Sequence, residues 1–443
     1  MRPEDLIRWL QELEGSHKPS RYVVAYSGGL DSTVLLHALC RATGRRGVPI
    51  VAVHVNHALH ADAARWEDHC RRVAEGLGIE FIRRRIDIPP ADPRGPEAAA
   101  RARRYAAIAE LVQPGDHVLT AHHQDDQAET LLLNLMRGSG AAGLAGIGPV
   151  QPLGKGLLLR PLLNVPREAI EAYAAAHALE WCEDPSNADS RFDRNYLRRE
   201  ILPVFRRRWP AVSARLARSA GLLAEANGLQ TELAEVDLAT LGGDPARLDL
   251  EALRQLAAAR QRNVLRHAIR RLGLPGAPSA RLEQAVRELL SAAPDAQPLV
   301  RWPGGELRRY RGSLYVLPPF AYRAPTDPLA LPADGRPIRL GDSLGALQLE
   351  RGVSGGIDPE LVGEGLRVAF RSGGEALRPA GRRHTHRLKK LLQEQGVLPW
   401  MREFLPLLYK DEKLVAVGDL WLAQEAVCDD GYVVRWLERP PLF

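Results

Sequence analysis

Short apolar runs alternate with amphipathic stretches from residue 20 to about residue 182, and few folds accommodate that alternation. RYVVAY (21–26), PIVAVHV (49–55), EFIRRRI (80–86) and DHVLTA (116–121) read as strands, and the segments between them carry helical spacing. Repetition on this scale predicts βαβ units and a parallel sheet with helices on both faces. In such a sheet ligands bind beyond the carboxyl ends of the strands, near the point where strand order reverses. Residues 27–32, 54–60 and 122–130 follow three of the predicted strand ends and are expected to converge there.

After about residue 190 the texture changes. AVSARLARSAGLLAEANGLQTELAEV (211–236) and LEALRQLAAARQRNVLRHAIRRLG (250–273) read as long helices, and β-like runs in 298–318 turn at Gly304, Gly305 and Gly312. Five prolines between 318 and 332 mark a linker. The expected architecture is an α/β parallel-sheet domain over 1–205, a mostly helical domain over 206–318, a Pro-rich linker over 319–335 and a small α+β domain over 336–443.

The net charge of +6 favours a polyanionic partner without proving one, and only six of the 60 basic residues are lysine. Position says more than count. Arg194, Arg198, Arg199, Arg206, Arg207, Arg208, Arg215 and Arg218 face one acid, Glu200, between 194 and 218; nine basic residues, among them Arg382, Arg383, Arg387, Lys389 and Lys390, face Glu375 and Glu394 between 367 and 402. Clusters of this kind suit backbone phosphates. Cys40, Cys70, Cys182 and Cys428 lie far apart, which argues against structural zinc, a redox pair or a disulfide framework. The N-terminus has acids and a helical pattern at Leu6, Trp9, Leu10 and Leu13, and no long apolar run occurs, so a cytoplasmic protein without a membrane span is expected.

The densest chemistry follows the first predicted strand. In Ser27-Gly28-Gly29-Leu30-Asp31-Ser32-Thr33 two glycines allow a tight turn and close approach of an anion, while the hydroxyls of Ser27, Ser32 and Thr33 add donors at a positive helix N-terminus. The spacing is not that of a Walker A loop. This string resembles the pyrophosphate loop of the N-type ATP pyrophosphatases, and the resemblance implies cleavage of ATP to AMP and pyrophosphate through an adenylated intermediate. Ser27, Gly28, Gly29, Leu30, Asp31, Ser32, Thr33 and His54 are then the expected ATP contacts, with Asp31 the expected ligand of a shared Mg²⁺.

A second constellation, Thr120-Ala121-His122-His123-Gln124-Asp125-Asp126-Gln127-Ala128-Glu129-Thr130, sets two imidazoles and three carboxylates at the predicted end of a strand. On a helix Asp126 and Glu129 are three apart and Asp125 and Glu129 four apart, so at least two share a face. With His54-Val55-Asn56-His57-Ala58-Leu59, Ala100-Arg101 through Arg104-Tyr105, Arg137-Gly138-Ser139-Gly140, Asp184-Pro185-Ser186-Asn187 through Arg198, and Leu388-Lys389-Lys390 through Trp400, the sequence resembles the tRNA(Ile)-lysidine synthetase family. Two departures stand out: Ala58-Leu59-His60 replaces the usual Gly-Leu-Arg, and Val397-Leu398-Pro399-Trp400 lacks one proline.

The resemblance implies ligation of L-lysine to C2 of the wobble cytidine of tRNA(Ile) with a CAU anticodon, with ATP as co-substrate. Asp125, Asp126 and Glu129 are the expected lysine-handling residues, able to bind its ammonium and accept its proton. Arg101 or Arg104 would neutralise charge on the α-phosphate. Arg194, Arg198, Arg206, Arg207, Arg208, Arg382, Arg383, Arg387, Lys389 and Lys390 are the expected tRNA contacts, and a homodimer is the one oligomeric expectation. The competing readings are a tRNA thiolase on the same core, which would carry sulfur on cysteines or a cluster, and a catalytically silent tRNA-binding protein.

Overall fold

The computed structural model describes residues 3–14, 19–43, 47–56, 62–87, 96–183, 185, 189–293, 296–319, 321–341, 343–353 and 355–443. Two compact units divide the chain, Met1–Gln230 and Thr231–Phe443.

The first unit runs α1 (Pro3–Glu14), β1 (Arg21–Ala25), α2 (Leu30–Thr43), β2 (Ile50–Asn56), α3 (Ala63–Gly76), β3 (Glu80–Arg85), α4 (Pro96–Ala109), β4 (Asp116–Leu119), α5 (Gln124–Met136), α6 (Ala141–Leu144), β5 (Val150–Leu153), β6 (Gly156–Leu159) and α7 (Arg167–Ala176). It continues through α8 (Asp193–Tyr196), a π-helical turn at Leu197–Ile201, α9 (Leu202–Arg208) and the start of α10 (Val212–Thr240). The four strands read from the sequence are all present.

They form a six-stranded sheet in the order β3-β2-β1-β4-β6-β5, parallel except where β5 pairs with β6. Both faces are buried. Val23, Val51, Val53, Val118 and Leu158 pack with Ile108 and Val112 on the α4 side, whereas Tyr22, Val24, Ala52, Leu119 and Leu159 pack with Leu35, Leu36 and Leu39 of α2 and with residues of α1, α3 and α7. Two-sided burial explains why these strands read as continuous apolar runs. From β1 the chain builds outward through β2 and β3, then returns to place β4 on the other side of β1. That reversal fixes the ligand edge at the carboxyl ends of β1 and β4.

In the second unit β7 (Arg247–Asp249), α11 (Leu250–Gln255), α12 (Ala258–Arg271), α13 (Ser279–Ser291), β8 (Leu299–Trp302), β9 (Gly305–Tyr310) and β10 (Ser313–Leu317) enclose one core, with the strands in the order β7-β10-β9-β8. The stretch 250–273 is not the single helix expected: Leu256 and Ala257 are extended, with ψ of 144° and 148°. Gln261 makes the break affordable in hydrogen bonds, since its Nε2 donates to the carbonyls of Leu253 and Leu256 at 3.1 and 2.8 Å. Beyond residue 328, short strands and the helix Leu388–Gln395 surround a second core that includes Leu391, Trp400, Leu407 and Trp436. Within the segment read as linker, Leu329–Leu331 is a strand paired with Leu366–Val368; three residues between Pro328 and Pro332 suffice for a ladder that proline cannot join. No helix among the described residues is long and apolar enough to cross a membrane.

Candidate active site

The loop between β1 and α2 turns at Gly28, where φ is +82° and a Cβ would lie 2.7 Å from the Cys70 Sγ. Only glycine fits both demands. The Cys182 N–H holds the loop by donating to the Gly28 carbonyl at 2.8 Å. Ser27 is the exposed hydroxyl, and it accepts from the Gly29 N–H at 3.3 Å. Ser32 and Thr33 depart from expectation: both are buried and donate their hydroxyl protons to the Gly29 carbonyl at 3.0 Å, so they tie down the first turn of α2 instead of offering protons outward. His54, at the end of β2, is buried with its Nδ1 3.0 Å from the Tyr26 carbonyl, and burial lowers its pKa.

Asp31 stands in the first turn of α2 and accepts from Arg167 at 2.7 Å. Burial raises its carboxyl above the usual range, opposed by His123 and Arg167. Arg167 escaped the sequence reading, because its spacing to Glu171 looks like an ordinary i,i+4 surface pair.

From β1 the site passes to β4 through His123. This residue caps α5: its Nδ1 accepts from the Asp125 N–H at 3.3 Å, and the Asp126 carboxylate accepts from the His123 N–H at 2.8 Å. With Nδ1 as acceptor, the neutral ring carries its proton on Nε2, which lies 3.8 Å from Asp31 and 3.6 Å from Asp126. The imidazole therefore bridges the loop and the acidic helix.

Asp126 and Glu129 share one face of α5, as their spacing requires, and both are ion-paired. Arg194 reaches Asp126 and Glu129 at 2.7 Å each; Arg198 reaches Glu129 at 2.6 Å and Asp126 at 3.2 Å. Burial would raise the Asp126 carboxyl, but the Nε2–H side of His123 and the Arg194 and Arg198 guanidiniums hold it far below the ordinary range. Asp125 turns away to Arg206 at 2.6 Å, and its pKa is lowered because Arg206 and Ser213 outweigh burial. Arg194, Arg198 and Arg206 pair with these carboxylates because α8, the π-helical turn and α9 pack along α5. The lowered carboxyls of Asp125 and Asp126 favour their charged forms, which suits holding a cation.

On the α4 side, Arg101 lies over the Tyr105 ring at 5.2 Å with two nitrogens 3.4 Å from His122 Nε2. Arg104 is half-buried on the same helix. Arg207 and Arg208 are exposed, as are Arg382, Arg383, Arg387, Lys389 and Lys390 in the second unit. Arg382 and Lys390 pair with Glu394, whereas Arg383, Arg387 and Lys389 form no ion pair among the described residues. His57 to His60, Asp184, Ser186 and Asn187 lie outside the described residues.

A family model for a PP-loop domain matches residues 3–205, one for a TilS substrate binding domain matches 248–315, and one for a TilS substrate C-terminal domain matches 366–436. The chain is 44% identical to the tRNA(Ile)-lysidine synthase of Alkalilimnicola ehrlichii, across 99% of this chain and 98% of that protein. The chain belongs to the tRNA(Ile)-lysidine synthase family. The same name is carried by relatives from Methylococcus capsulatus, at 43% identity over 93% of this chain and 94% of that one, and from Coxiella burnetii, at 40% over 94% and 91%.

Two cysteines of this lysidine synthase relative are chemically quiet: burial pushes the Cys40 thiol up to about 11 and the Cys70 thiol up to about 12. Thiols of that kind are poor sulfur carriers. No group of three or more His, Cys, Asp or Glu side chains suited to a metal occurs among the described residues. Asp31 alone, at a phosphate-binding loop, fits the habit of Mg²⁺, which takes one or two carboxylates and completes its shell with phosphate oxygens and water.

Proposed function

We propose that this chain ligates L-lysine to C2 of the wobble cytidine of a tRNA(Ile) bearing a CAU anticodon, with ATP cleaved to AMP and pyrophosphate. The observation that carries the reading is the contiguity through His123: a pyrophosphate-type loop at the end of β1 and a carboxylate helix at the end of β4 meet on one imidazole.

In this reading the N–H groups around Gly28 and Gly29, at the positive end of α2, hold the leaving pyrophosphate. Asp31 would hold a Mg²⁺, which would supply charge neutralisation at the phosphates. Cytidine O2 attacks the α-phosphate, with Arg104 as the fixed cation that offsets its charge, and the resulting AMP ester becomes the leaving group for the lysine amine. Asp126 and Glu129 receive the ammonium. Arg194 and Arg198 neutralise these carboxylates and are partly exposed, so they can turn to incoming phosphate and release them. Arg207, Arg208, Arg383, Arg387 and Lys389 supply backbone-phosphate contacts.

The test supplies purified protein with ATP, Mg²⁺ and labelled lysine. Label is expected on an isoleucine tRNA with a CAU anticodon, with AMP and pyrophosphate released. No transfer to that tRNA, or transfer to a methionine tRNA instead, defeats the reading.

A further inference from the structure

A buried cation without a counter-ion lies one strand beyond the acidic helix. Arg160 follows β6 directly and is 3% exposed. One terminal nitrogen donates to the Gly148 carbonyl at 2.6 Å and the side chain also bonds Tyr105, but Nε has no hydrogen-bond partner. No carboxylate pairs with Arg160 among the described residues. Removing a guanidinium from water without a compensating anion is costly, so such a group favours the approach of a negative charge.

A second cation stands beside it. Arg101 also lacks a carboxylate among the described residues, and its guanidinium faces His122 Nε2. A guanidinium only donates, so Nε2 accepts and the His122 proton sits on Nδ1, 2.9 Å from Thr120 Oγ1. Burial pushes the His122 pKa down to about 3, with Arg101, Arg160 and Arg194 adding to the fall against the pull of Asp126. The ring therefore contributes no charge, and it lies in the fields of both the Arg101–Arg160 pair and Asp126.

Strand order selects the anion. Phosphates belong to the loop at the end of β1, and β6 is two strands away in the order β1-β4-β6. The acidic helix starts at the end of β4, one strand spacing, about 5 Å, from β6. Negative and positive receptors one strand apart suit a ligand with an ammonium at one end and a carboxylate at the other. We propose that Arg160 and Arg101 bind the α-carboxylate of the free amino-acid substrate while Asp126 and Glu129 receive its side-chain ammonium. This assignment rests on the ligation reading above and deepens it.

The experiment compares lysine with pentane-1,5-diamine, which has both amines and no carboxylate, in the full chain with ATP and tRNA. The wild type is expected to prefer lysine by about 10- to 100-fold in kcat/KM, the range of a charge-assisted pair. Arg160→Gln is expected to raise the lysine KM by a similar factor and bring the lysine-to-diamine ratio toward one, with the ATP KM held within about twofold of wild type. A wild type that uses the diamine as well as lysine overturns the inference. So does a variant that loses both amines equally, or one that raises the ATP KM while sparing lysine, which would make the anion a phosphate. If Arg160→Gln does not fold, Arg101→Gln and the wild-type preference carry the test. A wild type that ligates neither amine to any tRNA overturns the ligation reading itself, a separate result from failure at Arg160.

Discussion

Glu129 is fully buried, and its two oxygens accept from Arg194 Nε at 2.7 Å and from Arg198 at 2.6 and 3.0 Å. Glu129→Gln keeps the shape and removes the charge, leaving two guanidiniums to share Asp126. Breaking a buried pair from one side costs about 3–5 kcal/mol. The side chains of Arg194 and Arg198 are 22% and 40% exposed and regain some hydration, which reduces the expected loss to about 2–3 kcal/mol. For a unit of this size that is a fall in Tm of about 5–10 °C. Arg198→Gln removes the more exposed partner while Arg194 still holds both carboxylates, so its cost is about 1 kcal/mol. Hydrogen exchange of the α5 amides in the full chain reads the difference locally, and a two-step assay should show lysine transfer falling more than pyrophosphate release in Glu129→Gln. Equal costs for the two substitutions, or a Glu129→Gln cost below about 1 kcal/mol, would refute the argument that the carboxylate is the desolvated member.

Asp31→Asn is expected to abolish pyrophosphate release without lowering stability: burial raises the folded carboxyl, so its ionised form is a burden at neutral pH, and Arg167 keeps Glu171 at 2.8 Å. A loss above about 2 kcal/mol in denaturant melts would contradict this. Asp125 and Asp126 have the opposite sign. Their folded carboxyls sit below the unfolded value of about 3.9, so the unfolded chain takes up protons first; the stability they add is complete above that value and disappears as pH falls through the folded ones. Urea midpoints followed down from about pH 6 should therefore drop in acid, and less steeply in Asp126→Asn; an unchanged slope would remove Asp126 from the account. Replacing Arg383, Arg387 and Lys389 together with Gln should cut the salt slope of tRNA binding by about 2 and leave the ATP KM unchanged, whereas an unaltered slope would place the phosphates elsewhere.

The fold of the first unit was legible because a two-sided parallel sheet writes its strands as apolar runs, and β1 to β4 lie within a residue or two of RYVVAY, PIVAVHV, EFIRRRI and DHVLTA. Loop chemistry was legible for a related reason: Gly28 has a positive φ that its neighbours in the string already suggest. What was hidden depends on distance along the chain. Arg167 meets Asp31 from 136 residues away, and Arg194 meets Glu129 from 65, so nothing local marks either as part of a site. Counting charge in a window from 194 to 218 assigns those arginines to solvent and phosphate, because a window cannot see carboxylates on another helix. The same blindness grouped Asp125 with Asp126 and Glu129. Spacing alone allows Asp125 onto their face, and only the placement of Arg206 and Ser213 across from the first turn of α5 turns it the other way. The consequence is specific: Asp126 and Glu129 are each already paired, and in the proposed reaction a lysine ammonium would enter only as Arg194 and Arg198 find other anions. Lysine alone is then expected to bind weakly, and adding ATP should strengthen its binding, a coupling that equilibrium dialysis with and without a non-cleavable ATP analogue would measure. Equal lysine affinity in both conditions would mean that the two arginines stay where they are throughout the cycle.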